Sequence, residues 1–139
     1  MTIIDKMTNE AFTMPIRNIA KPEWDNVVHR IEQIVCDFQD LTIEEMLSKA
    51  RNEEIANARF MLFFILHVLS NTNYTNIAKR YGMKQGRIRY AVTTTSVLYT
   101  HDKYFKQRMD NVIDLVLNDP QLQFSSYKSL LPELKQVVT

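Results

Sequence analysis

Glycine occurs at two positions in this chain, Gly82 and Gly86, and both fall inside one stretch, Tyr74-Thr-Asn-Ile-Ala-Lys-Arg-Tyr-Gly-Met-Lys-Gln-Gly-Arg-Ile-Arg-Tyr-Ala-Val-Thr93. That placement confines the sharpest reversals of the backbone to one region. Ile77, Ala78 and Tyr81 have the spacing of a short helix's inner face, and Gly82 is the residue type that takes the left-handed conformation at a helix C-terminus without steric cost. Met83 is expected to fill the corner, and a second helix is expected to start near Lys84. Ile88 and Ala91 would then face the first helix, and the small Ala78 lets the two approach closely. The pattern is that of a helix-turn-helix. Its second helix presents Lys84, Gln85, Arg87, Arg89, Tyr90 and Thr93 outward, side chains suited to a nucleic-acid groove.

Charge separates this segment from its flanks. Residues 73–108 carry eight Lys or Arg against Asp102 alone, residues 1–72 carry seven basic against eleven acidic, and residues 109–139 two against four. The formal net charge of +1 therefore conceals a basic segment in an otherwise acidic chain. A solvated helix surface ordinarily mixes the two signs, so the asymmetry points to a polyanionic partner, double-stranded DNA. Within the segment, Gln85 and Arg89 are the expected base readers, since Gln pairs with adenine and Arg with guanine through two bonds each. Lys84, Arg87 and Thr93 are the expected phosphate contacts, with Lys79 and Arg80 adding to the field, and Gly86 lets the backbone come close.

Scarce glycine, four prolines and little β-branched alternation predict an all-α fold, a compact domain of about six helices with short connections. Within 139 residues at 45% apolar composition, one core is expected. The expected organisation is an N-terminal arm over 1–21, a helix-turn-helix domain over 22–118 and a C-terminal amphipathic extension over 119–139. Pro22 suits a first helical turn, and Trp24, Val27, Val28, Ile31, Ile34, Val35 and Phe38 follow at helical spacing to about Gln39. Thr42 and Glu45 form a capping box for a short helix. Lys49-Ala-Arg51-Asn52 is a basic connection, and Asn52 with Glu53 and Glu54 suits the start of a long helix through the apolar run 60–66. Asn73 and Asp102 are the expected caps of two later helices. Tyr127, Leu130, Leu131, Leu134 and Val138 repeat at helical spacing around Pro132. They are expected to pack on their own domain, with a homodimer or protein contact as the alternative.

Other chemistry finds little material. His29, His67 and His101 lack metal-ligand spacing and share the chain with one cysteine, so neither metal nor cofactor is expected. Cys36 reads as a small core residue, consistent with a reducing cytoplasm. The apolar run 60–69 is too short to span a bilayer, and no signal-like apolar segment opens the chain, so no membrane partner is expected. Catalysis is not expected.

From about Val28 to Leu117 the order of elements resembles the C-terminal DNA-binding domain of the bacterial replication initiator DnaA, as a divergent, Trp-repressor-like form. The resemblance runs ungapped through Glu45-Met-Leu-Ser-Lys-Ala-Arg-Asn-Glu-Glu-Ile-Ala-Asn-Ala-Arg59 and on through Leu69, Asn71 and Ile77. It implies a basic loop that sets an arginine, here Arg51, in the minor groove while the second motif helix enters the major groove. Lys49 and Arg59 stand at basic positions of the family, and Ala91 matches a small residue on the recognition helix. Where the family opens that helix with a Gly-Arg-Asp-His-Ser/Thr-Thr signature, this chain has Met83-Lys84-Gln85-Gly86-Arg87. The fold and two-groove docking are thus implied, but not the family's target sequence. No Gly-rich phosphate loop occurs, so ATP-driven chemistry is not expected. The function expected is non-catalytic duplex binding in replication or transcription control. The alternatives are a protein-interaction module with a basic face and the accessory DNA-binding part of a mobile element.

Overall fold

Helix α1 (Lys21–Gln39) buries Val27, Val28, Ile31, Ile34 and Val35, the positions that recur every three or four residues along one face. It stops where Asp40 takes a left-handed backbone (φ 55°) and Leu41 N–H closes on Cys36 O at 2.9 Å. The stop uses an aspartate where a glycine is the usual choice. Helix α2 (Ile43–Met46) begins with the expected capping box: Glu45 N–H donates to Thr42 Oγ1 and Thr42 N–H to Glu45 Oε1, both 3.1 Å.

This structure, a computed structural model, describes residues 21–68 and 72–122, with side chains from Trp24 onward. The expected arm, apart from Lys21, which opens α1, and nearly all of the expected C-terminal extension lie outside the described residues, as do Leu69 and Asn71. Among the described residues there are six α-helices, one short 3-10 turn and no strand, the expected all-α fold.

Helix α3 (Glu53–Val68) is the centre. Ala58 to Leu66 are all buried except for a half-buried Phe60, so this helix is enclosed on every side over its middle turns. Helices α1, α2, α4 (Tyr74–Tyr81) and α5 (Gln85–His101) all pack on it, and α6 (Lys103–Leu117) closes the core against α1 and α5. Thr95 lies buried at the α3–α5 contact, its Oγ1 2.8 Å from Ala91 O and 3.1 Å from Phe60 O. A hydroxyl there is tolerated because it bonds carbonyls of both helices. Asp102 caps α6 through the N–H groups of Tyr104 and Phe105 at 3.0 and 3.1 Å. Beyond α6 the buried Asp119 pairs with Arg30 of α1, and Leu122 in the 3-10 turn (Pro120–Leu122) still joins the core. No helix among the described residues is long and apolar enough to cross a membrane, and none of them group as ligands for a metal.

Candidate nucleic-acid interface

Helices α4 and α5 form the corner that the two glycines mark. Asn73 Oδ1 accepts from Asn76 N–H at 2.8 Å and starts α4. Gly82 ends it in the left-handed region (φ 63°), Gly82 N–H bonds Lys79 O at 3.4 Å and Met83 N–H bonds Ala78 O at 2.9 Å. This pair of bonds is the Schellman closure that a glycine at this position permits. Met83 is half-buried against the core, Ile77 and Ala78 are buried on α4, and Ile88, Ala91 and Val92 on α5.

The opposite side of α5 faces water. Lys84, Gln85, Gly86, Arg87, Arg89, Tyr90 and Thr93 are all exposed, with Tyr90 at 63%. Lys84 is the N-cap residue but its side chain makes no capping bond, and the first turn contains no acidic residue. The first N–H groups of α5 and its positive dipole end therefore face outward uncapped by any side chain, an arrangement that favours an anion. Gly86 has ordinary helical φ, and a Cβ built on it would meet nothing within 4 Å. The protein itself does not require a glycine there.

Not every cation of the segment is free. Arg80 is drawn to α1, where Nη1 lies 3.0 Å from Asp25 and Nη2 3.9 Å from Glu32, with the guanidinium 5.3 Å from the Trp24 ring. Its expected addition to the outer field is largely neutralised. Glu32 is buried and also accepts the Tyr81 hydroxyl at 2.6 Å. Burial, then this bond and the Glu32 charge, push the Tyr81 phenol well above its ordinary value, against an opposing pull from Arg80. This cluster fastens the end of α4 to α1. Lys84, Arg87, Arg89, Lys49 and Arg51 form no ion pair among the described residues.

Arg59 departs from its expected position as an exposed basic residue. Only 7% of it is exposed, and its guanidinium donates to Ser48 O and Ala50 O at 2.7 Å and to Met46 O at 3.3 Å. Arg59 thus pins the chain that leads from α2 to Lys49 and Arg51, both of which are exposed. Three carbonyls are satisfied by one planar fork, a geometry lysine cannot reproduce. Burial lowers the Arg59 pKa, and so, to a lesser degree, does the charge of Arg87. Arg87 in the first turn of α5 is thus close enough to Arg59 for the two charges to oppose each other. Tyr90 sits edge-on to Phe60 with ring centroids 6.1 Å apart.

Residues 28–94 match the bacterial dnaA protein helix-turn-helix family. The match begins in α1, takes in the pinned loop, and ends in α5 one residue beyond Thr93, so it contains every residue expected to contact DNA. The chain is similar to the chromosomal replication initiator protein DnaA of Thermodesulfovibrio yellowstonii, 28% identical over 90 residues, 64% of this chain and 20% of that protein. It is similarly related to the DnaA of Flavobacterium psychrophilum, 28% identical over 83 residues, 59% of this chain and 17% of that one. The chain spans a fifth or less of the length of these two curated relatives. In this chain Glu53 and Glu54 follow Arg51 and open α3, so acidic side chains directly adjoin the Lys49–Arg51 connection.

Proposed function

We propose that this protein binds double-stranded DNA without catalysis, through the helix-turn-helix of α4 and α5. The observation that carries the reading is the exposed, ion-pair-free set Lys84, Gln85, Arg87 and Arg89 on the outer side of a helix whose inner side is fully packed. The similarity to DnaA proteins, named for chromosomal replication initiation, supports the same reading.

In this reading α5 enters the major groove by its N-terminal end. Gln85 and Arg89 meet base edges, Lys84, Arg87 and Thr93 hold phosphates, and Gly86 admits the backbone close to the DNA. Tyr90 lies against the sugar-phosphate wall. The loop held by Arg59 brings Lys49 and Arg51 to the adjacent minor groove, where a narrow A/T tract concentrates negative potential. The role is one of replication or transcription control.

The test is an anisotropy titration with random duplex across a salt series. With about five or six phosphates neutralised, log K falls against log salt with a slope on the order of −5. A slope near zero, or no binding at low salt, overturns the reading in favour of an interaction module whose basic surface meets an acidic protein.

A further inference from the structure

Arg89 does not project freely from α5. Its guanidinium carbon lies 5.4 Å from the centroid of the Tyr74 ring, the first residue of α4. Tyr74 is in turn stacked on His67 of α3, with centroids 4.2 Å apart and planes inclined by 19°. His67 is fixed from below by a contact of 2.9 Å between Nδ1 and Thr72 O. Three helices thus contribute to one short column, in which both rings are half-buried and the arginine is exposed.

We propose that Tyr74, held by His67, is a positioning residue that presets Arg89 for base reading, an inference that rests on the DNA-binding function proposed above. A free arginine side chain loses much of its rotamer entropy when it is fixed in a groove. A guanidinium already resting on an aromatic face has lost part of that freedom before DNA arrives, so less of the binding energy is consumed in ordering it. A guanidinium lying flat over the ring would engage only its face. Its N–H donors lie in the plane and stay available for the two acceptors of guanine, O6 and N7. The column therefore restricts where the arginine points without using the atoms that read the base. Neither Tyr74 nor His67 need touch DNA for this.

The experiment compares wild type, Tyr74→Phe, Tyr74→Leu and Arg89→Ala on a duplex enriched from a random library by the wild-type protein and on a random-sequence duplex. Tyr74→Phe keeps the ring and should keep the preference. Tyr74→Leu should weaken the enriched duplex by about two- to fivefold, the range of an exposed cation–π contact, while leaving the random duplex unchanged. In an Arg89→Ala background the same Leu substitution should change nothing further. In the free protein, the Arg89 side-chain protons should show an upfield NMR ring-current shift that disappears in Tyr74→Leu and persists in Tyr74→Phe. A merely structural role for Tyr74 would weaken both duplexes together and would persist in the Arg89→Ala background, and either result overturns the inference. So does unchanged preference in Tyr74→Leu, loss of preference in Tyr74→Phe, absence of the ring-current shift, or a library that yields no preferred sequence. A wild-type protein that binds no duplex removes the DNA-binding reading and this inference with it, whereas intact binding with unaltered preference removes the inference alone.

Discussion

Arg87 on the exposed side of α5 lies near enough to the buried Arg59 of α3 that its positive charge works against that of Arg59. Two like charges held together by the fold are relieved by an anion between or beside them. Arg59 itself is committed to three backbone carbonyls, so its contribution is to hold the chain that leads from α2 to Lys49 and Arg51.

Replacing Arg59 by Met keeps much of the aliphatic packing but leaves the carbonyls of Met46, Ser48 and Ala50 without their donor. We expect a loss of about 1–3 kcal/mol in a urea melt, the cost of unsatisfied buried acceptors. Duplex binding should weaken more at sites flanked by an A/T tract than at mixed flanks, because the loop loses its register. Arg59→Lys should restore the charge but not the loop, since one ammonium cannot span the same carbonyls. A Lys variant with wild-type stability and wild-type flank preference would show that charge alone matters at this position.

At Gly82 the backbone has φ 63°, and an added Cβ would meet nothing within 4 Å. The cost of substitution is therefore that of the backbone conformation and not of crowding. Gly82→Val should lower stability by about 1–3 kcal/mol, whereas Gly82→Asn should lose much less, because asparagine enters the left-handed region far more readily than a β-branched residue. Thermal melts followed by circular dichroism give the order, and equal melting temperatures for Val and Asn would contradict it.

The caps at Thr42, Asn73, Gly82 and Asp102 were legible in the sequence because each is a local bond between a side chain or backbone turn and residues two to four positions away. The inner sides of α1, α4 and α5 were legible because apolar spacing reports burial directly. What escaped depends on partners distant in the chain. Arg59 and Arg80 read as surface cations, and nothing in their neighbourhood announces that one turns to the carbonyls of the α2–α3 connection and the other to Asp25 and Glu32 on α1. Asp40 escaped for another reason: it takes the left-handed conformation although it is not glycine, so counting glycines undercounts such turns. The stack of His67, Tyr74 and Arg89 joins three helices and has no local sequence signal at all.

Raising the pH should loosen the α1 side of the domain in two stages. Burial, then the charges of Glu32, Asp37 and Glu44, pushes the Cys36 thiol from 9.0 up to about 11. Tyr81 is raised as well, chiefly by burial and by its bond to Glu32. Both groups hold their protons more tightly in the folded chain than in the unfolded one. Their contribution is thus fully present below pH 9.0 and falls as pH rises through about 11 for Cys36, with Tyr81 adding a decline that begins near the ordinary tyrosine pKa of about 10. Urea melts from pH 8 to 11 should show Cys36→Ala losing less stability than wild type over this range, by on the order of 1–2 kcal/mol. Parallel curves for the two proteins would mean that the thiol titrates normally. The same protection should make Cys36 slow to alkylate at pH 8.

Gly86 separates the needs of the fold from those of the interface. It lies in the first turn of α5 with ordinary helical φ, and nothing stands within 4 Å of where a Cβ would be. Measured on the protein alone, Gly86→Ala should therefore raise stability, by up to about 0.5–1 kcal/mol, because alanine restricts the unfolded chain more and favours the helix. If α5 approaches DNA by this turn, the same methyl group intrudes where backbone would meet the duplex, and affinity should fall severalfold. A larger side chain, as in Gly86→Leu, should deepen the loss of affinity while costing the fold little relative to alanine, since the position opens to solvent. Both variants then melt above wild type while duplex affinity falls along the series Gly, Ala, Leu. A series in which affinity stays constant would place the contact surface away from the N-terminal turn of α5, and the assignments of Lys84, Gln85 and Arg87 would fall with it.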